Sequence, residues 1–303
     1  SHLDTQPTGG KYDGVLGVLA GLEIVRTLND LNIQTKHPIM IVNWTNEEGS
    51  RFPPAMMASA GYAGIYDVKT LLSAEDAEGN IFGEELDKIG WKGSEKVGEQ
   101  KIHCYYELHI EQGPVLETEE IDIGVVTHGQ GLKWLEVQLS GTEQHTGTTP
   151  MHVRKDTSLA MSEIILAVNN IAYKNQPNAL GSVGHIEVSP NSRNVIAGHS
   201  IFTIDFRSPD ITKLDKMENE LKLLAIDICK KYKVNFNMKQ IGGFDPVTFD
   251  KDCLTNIRKS AEKFGYTYKD IVSGAGHDAC WINSVAPSAM IMCPCVDGLS
   301  HNE

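Results

Sequence analysis

The sequence predicts an α/β protein of two domains, a larger metal-binding α/β domain interrupted by a smaller ferredoxin-like α+β insert. Three observations carry this. An apolar helical row near the start is followed by a short apolar run, the helix-then-strand alternation of an α/β layer. Further on, strands and helices follow in the order β-α-β-β-α-β, which is the ferredoxin-like plan. Histidines and carboxylates recur in short motifs near both ends and in the first half of the chain. The boundaries fall at 1–128 with 245–303 for the larger domain and 129–244 for the insert.

Taken in order, Leu16, Leu19, Leu22, Val25 and Leu28 recur at steps of three, with Val15 and Val18 widening the row. That predicts a helix over 15–28 packed along one side. The run 38–42 ends at the polar Asn43 and suits a buried parallel strand. Such a strand delivers Glu47 and Glu48 just past its carboxyl end, where open α/β sheets place their ligands. Another strand is expected at 121–126. In the insert, strands are expected at 132–139, 184–188, 201–206 and 234–239, and an amphipathic helix at 156–173. A second helix, 211–232, carries Leu214, Met217, Leu221, Leu224 and Ile228 as one apolar stripe. The larger domain resumes near Thr248, with a helix over 254–264 and a strand over 289–292. No internal repeat or low-complexity linker interrupts this order.

Apolar content of 41% and charged content of 22% are ordinary for a globular enzyme. A net charge of -13 repels phosphate backbones and argues against nucleic-acid binding. No apolar run reaches the about 18 residues of a membrane span. Cys104, Cys229, Cys253, Cys280, Cys293 and Cys295 are scattered, which reads as reduced, mostly buried thiols and a cytoplasmic protein. Cys293-Pro294-Cys295 lacks the second pair that a zinc site would want and is assigned to packing.

The chemistry-bearing residues are imidazoles and carboxylates, the mixture that a borderline ion such as Zn²⁺ or Mn²⁺ accepts. His2 reads as a ligand, with Asp4 behind it to fix the imidazole tautomer. Asp13 lies in a turn between Gly10 and Gly14 and could bridge two ions. Glu47 and Glu48 diverge if their segment is extended, so one can bind an ion while the other contacts water. Standing alone, such a pair is a solvated loop. His37, His103, His128, His152, His185 and His199 fall outside motifs and are assigned to surface or packing.

The ordered motifs make the resemblance specific. They begin with His2-Leu3-Asp4, Gly9-Gly10-Lys11-Tyr12-Asp13-Gly14, Asn46-Glu47-Glu48-Gly49 and Glu107-Leu108-His109-Ile110-Glu111-Gln112-Gly113. They continue through Gln144-His145-Thr146-Gly147-Thr148-Thr149-Pro150, Asn194-Val195-Ile196, Asp205-Phe206-Arg207, Ser273-Gly274-Ala275-Gly276-His277-Asp278 and Ser300-His301-Asn302. Nearly the whole chain thus resembles the amidohydrolase branch of the M20 metallopeptidases, which contains N-carbamoyl-L-amino-acid hydrolases, β-ureidopropionases and allantoate amidohydrolases. Thr146 departs from it, standing where the family more often has alanine. Trp134 and Gln6-Pro7 are more similar to the carbamoylase and β-ureidopropionase members.

The resemblance implies two divalent ions per subunit, zinc or manganese ahead of cobalt or nickel. His2 and His109 would hold one, Glu48 and His301 the other, with Asp13 shared. Glu47 would be the general base toward the attacking water. In the insert, His145 and Asn194 would stabilise an oxyanion and Arg207 would grip a substrate carboxylate. Gln112 and His277 would line the substrate site. The implied reaction is hydrolysis of a linear C–N bond in an N-carbamoyl amino acid or N-carbamoyl-β-alanine. Allantoate hydrolysis is the runner-up, followed by a peptidase or aminoacylase and by a non-catalytic binding relative. The resemblance further implies a homodimer joined through the insert, which closes over the ions and could complete its partner's site. It also implies a segment before the His2 strand and a helix after His301.

Overall fold

The computed structural model describes residues 1–302 and is a mixed α/β structure. Glu303, in the closing motif, lies outside the described residues. The chain divides into two compact units, one formed by Ser1–Gly129 with Thr248–Glu303 and the other by Gln130–Val247.

In the first unit the sheet runs Tyr105–Ile110, Ser288–Cys293, Ile123–Gly129, Tyr268–Ser273. The outer pairs are parallel and the central pair antiparallel, so the sheet is mixed. Val125, Val126, Ala289, Met290 and Met292 are buried along its centre. The helix Lys251–Phe264 starts at Asp250, whose side chain accepts from the amides of Asp252 and Cys253, and it buries Leu254, Ile257 and Ala261. A separate cluster, Phe52, Met57, Leu71 and Phe82, stabilises the loop that follows Glu48.

Two expectations fail in this unit. The run 38–42 forms no strand: the only bridge nearby is the parallel one between His2 and Trp44, and Ile39, Met40 and Ile41 are exposed. An apolar run becomes a strand only where a ladder pairs its backbone, and here none does. The helix Val15–Asp30 forms, but it buries no residue, and Leu19 and Leu22 of the predicted packed row are exposed. Periodicity sets the helix; burial needs neighbours along its length, and its main contact is with the strand Tyr105–Ile110.

The second unit is a four-stranded antiparallel sheet, order Leu180–Ser189, His199–Ser208, Gly131–Ser140, Asn235–Phe244. The helices Thr157–Lys174 and Ile211–Tyr232 pack on one face, giving the sequence order β-α-β-β-α-β. Strand His199–Ser208 alternates strictly between half-buried and buried, so Phe202, Ile204 and Phe206 enter the core while Asp205 and Arg207 face the other way. Leu135, Val137 and Leu139 meet them from the neighbouring strand, and Ile164, Leu214 and Met217 from the helices. Each large side chain buried there is worth about 1.5–3 kcal/mol.

Candidate metal and active site

Two histidines of the first unit, His2 and His109, are oriented by main-chain carbonyls. His2 Nδ1 lies 2.8 Å from the Asp4 carbonyl and His109 Nδ1 lies 3.0 Å from the Ile110 carbonyl. A carbonyl only accepts, so each ring carries its proton on Nδ1 and presents the Nε2 lone pair. Both rings are buried. Burial lowers the His109 pKa, which keeps the imidazole neutral and able to ligate. Gly14 makes room for His2: its φ is +70°, and a Cβ there would lie 2.4 Å from the imidazole.

Asp13 sits between two sets of donors. Its Oδ1 is 3.3 Å from His109 Nε2 and 3.8 Å from His2 Nε2. Its Oδ2 is 3.5 Å from His301 Nε2, which in turn is 3.4 Å from Glu48 Oε2. Glu47 Oε2 is 3.5 Å from His2 Nε2. Three overlapping groups result: His2, Asp13 and His109; His2, Glu47 and Glu48; Asp13, Glu48 and His301. In each, candidate ligand atoms lie within 4.8 Å of one another. Asp13 Oδ1, Glu48 Oε1 and His109 Nε2 are buried without a hydrogen-bond partner. Leaving such acceptors desolvated and unpaired is costly, and their convergence fits divalent cations.

Asp4 lies beside His2 and also beneath the paired glutamates. Its carboxylate is 3.9 Å from His2 Nδ1, and the carbonyl of the same residue orients the ring. The carboxylate oxygens instead accept from the amides of Glu47 and Glu48, at 3.1 and 3.0 Å. Asp4 therefore fixes the backbone of the paired glutamates. Burial, followed by the charges of Asp278, Glu107, Glu48 and Asp4, raises the Glu47 pKa well above its ordinary value.

Gln112, expected at the substrate, contacts the candidate ligands: its Nε2 donates to Asp13 Oδ2 at 3.1 Å and to Ser300 Oγ at 3.2 Å. His277 is buried with its ring centroid 4.5 Å from that of His109, and burial pushes its pKa well down.

Three further residues stand in segments quoted from the sequence but are given no role there. Gln6 Nε2 donates to Glu48 Oε2 at 2.9 Å. Glu107 is buried and accepts from the Ala279 amide at 2.8 Å and the Tyr105 hydroxyl at 3.2 Å. Asp278 is buried and accepts from the Ser59 hydroxyl. Glu107 was findable, because it lies two positions before His109 on one strand and so shares its face. Gln6 stands out only through the Gln6-Pro7 pair, which marks the branch and does not point to Glu48.

The second unit holds the remaining candidates. Gln144–His145 pairs with Val195–Ile196, which sets His145 opposite Val195 and beside the position of Asn194. His145 Nδ1 accepts from the amides of Gly147 and Thr148, at 3.1 and 3.2 Å, so Nε2 carries the proton as a donor. Asn194 Oδ1 accepts from the Ser192 hydroxyl at 3.0 Å, leaving its amide hydrogens to donate elsewhere. Arg207 Nε and Nη2 donate to Asp205 at 3.0 and 2.9 Å.

The family model for peptidase family M20/M25/M40 matches residues 1–303. The N-carbamoyl-L-amino-acid amidohydrolase of Rhizobium meliloti is 57% identical over 303 residues, covering 100% of this chain and 73% of that protein. The allantoate amidohydrolase of Escherichia coli (strain K12) is 33% identical, covering 100% of this chain and 74% of its own length. A hydantoinase/carbamoylase family amidase from Burkholderia multivorans superposes with a TM-score of 0.96 at 49% identity, over 100% of this chain and 74% of that one. The chain belongs to the M20/M25/M40 peptidase family, in its hydantoinase/carbamoylase branch.

Proposed function

We propose that the protein is a dimetal amidohydrolase that converts an N-carbamoyl-L-amino acid to the amino acid, carbon dioxide and ammonia. The observation that carries it is Asp13, whose two oxygens face two different sets of donors, His2 with His109 and Glu48 with His301. The similarity to the Rhizobium meliloti carbamoylase, at 57% identity against 33% for the allantoate enzyme, supports the substrate class.

His2, His109, Asp13, Glu48 and His301 would hold the ions, zinc or manganese by the chemistry of the set. Bound there, two divalent ions would polarise the ureido carbonyl and acidify a water. Glu47 takes a proton from the attacking water and returns it to the leaving nitrogen. A carboxylate beside dications is ionised for the first half of that exchange and can hold the proton briefly for the second. The His145 Nε2–H and the Asn194 amide donate to the oxygen that gains charge as the carbonyl becomes tetrahedral. Arg207 receives the substrate carboxylate, and His277 is assigned to the substrate pocket. Gln112 is given the job of holding Asp13.

The two units serve as a metal-binding catalytic domain and an inserted dimerisation domain of a homodimer. No helix is long and apolar enough to cross a membrane among the described residues. The six free cysteines support the assignment to a reducing, cytoplasmic setting.

The test assays N-carbamoyl-L-amino acids, N-carbamoyl-β-alanine, allantoate and a dipeptide side by side, with each metal restored. Turnover of the N-carbamoyl-L-amino acids above the other substrates is expected. Turnover of the dipeptide alone would sink the proposal, as would a folded protein that never holds two ions per chain.

A further inference from the structure

The geometry points to Arg154 as the positioning residue of His145: its guanidinium grips the turn whose amides fix the imidazole proton on Nε2. This rests on the oxyanion role given to His145 above. His145 is exposed, and an imidazole in water exchanges its proton between the two ring nitrogens, so neighbours must place it. The amides of Gly147 and Thr148 do so by donating to Nδ1 at 3.1 and 3.2 Å. Glycine at 147 keeps that approach open, since a Cβ there would lie 3.2 Å from the ring.

Arg154 holds the same turn through its carbonyls. Its Nη2 donates to the Thr146 carbonyl at 2.6 Å and its Nε to the Thr149 carbonyl at 3.1 Å. The Thr146 carbonyl and the Gly147 amide belong to one planar peptide unit, so a donor that fixes the oxygen also fixes the direction of the N–H. A positive charge at that oxygen polarises the unit and makes the N–H a better donor to Nδ1. Main-chain bonds close the rest of the turn: the Thr146 amide donates to the Asn194 carbonyl at 3.1 Å and the Thr149 amide to the His145 carbonyl at 3.2 Å. Holding two carbonyls at once needs the rigid fork of a guanidinium, where a lysine ammonium is a single point charge. Lys233 fastens the same loop at a carbonyl outside the turn, its Nζ donating to the His152 carbonyl at 2.8 Å. It therefore separates a general fastening of the loop from control of the ring.

The experiment reads the His145 ring nitrogens by NMR in the metal-free protein, above the ordinary imidazole range. It also measures kinetics on N-carbamoyl-L-amino acids in the metal-loaded protein. Variants are Arg154→Ala, Arg154→Lys, His145→Ala and Lys233→Asn, asparagine being suited to the left-handed φ of 58° at that position. Arg154→Ala should raise the ratio of Nδ1–H to Nε2–H forms about tenfold. It should lower kcat by about tenfold with KM within about twofold, because an oxyanion donor acts in the transition state. Arg154→Lys keeps the charge and can reach one carbonyl, so both effects should shrink to about threefold. Lys233→Asn should leave the tautomer ratio and kcat within about twofold of the parent. An unchanged tautomer ratio in both Arg154 variants overturns the inference, as do equal losses of kcat in Arg154→Ala and Lys233→Asn. If His145→Ala loses kcat while Arg154→Ala keeps it, the inference fails and the proposed function stands. If His145→Ala keeps kcat, the oxyanion role fails and takes the inference with it. If the parent turns over none of these acids, the proposed function fails, and the tautomer ratio still decides whether Arg154 sets the ring.

Discussion

Asp4→Ala removes a carboxylate that accepts one backbone N–H from Glu47 at 3.1 Å and another from Glu48 at 3.0 Å. A hydrogen bond to a charged group contributes about 1.5–3 kcal/mol, so the pair is worth at most about 3–6 kcal/mol. The Asp4 side chain is 32% exposed, so water takes over part of both bonds and about half of that figure survives. A loss of about 1.5–3 kcal/mol is about one to two decades in a local opening equilibrium. The matching assay is site-resolved amide exchange on the metal-free protein, where the Glu47 and Glu48 amides should exchange about 10 to 100 times faster in the variant. The His2 ring supplies the control. It is held by the Asp4 carbonyl, which alanine keeps, so nitrogen shifts of His2 should still report a proton on Nδ1. Unchanged protection at Glu47 and Glu48, or a proton that moves to Nε2, would refute this account and return Asp4 to the role of tautomer-fixing carboxylate.

Glu47 makes stability without metal depend on pH. Its folded pKa is raised by burial and then by neighbouring carboxylates, so the stability tied to its proton is fully present below the ordinary 4.5 and is lost as pH rises through the raised value. Metal-free Glu47→Gln should therefore lose less stability than the parent between roughly pH 5 and pH 8; equal losses in urea midpoints would contradict it. Gln6→Leu deletes the 2.9 Å donor to Glu48 Oε2. Competition with a chelator should show metal affinity reduced by about 10 to 100-fold, and an unchanged affinity would remove Gln6 from the site.

The second unit was the most legible part of the fold. Its strands alternate, its helices each carry one apolar stripe, and Asp156 and Asp210 cap them, so local pattern and tertiary burial agree. The failures in the first unit share a cause. For 38–42 and for the helix Val15–Asp30, the pattern is apolar, but whether it is buried depends on a neighbour that the pattern does not name. At the site, motifs located the imidazoles and carboxylates. What the motif does not give at Asp4 is the main-chain acceptor, since the carbonyl that orients His2 is present whatever the residue.

The backbone around the ligands explains why a correct roster of side chains still underdescribes the site. Asn46, Met56 and Gln112 adopt left-handed φ values of 58°, 53° and 58°. A bulky residue held there costs on the order of 1–3 kcal/mol and persists only where its surroundings over-determine it. Each has such surroundings. The Asn46 amide donates to the Phe52 carbonyl at 2.7 Å, the Met56 amide donates to the Glu47 carbonyl at 2.6 Å, and the Gln112 amide ties Asp13 to Ser300. Several acids are fixed by neutral donors: Asp4 by the backbone amides of Glu47 and Glu48, Glu48 by the Gln6 side-chain amide, and Asp278 by the Ser59 hydroxyl. Neutral donors orient a carboxylate without supplying the full positive charge that would compete with a cation. The convergent lone pairs of Asp13, Glu48 and His109 are thereby held in place by a preformed frame, and the contacts that hold the three turns maintain it.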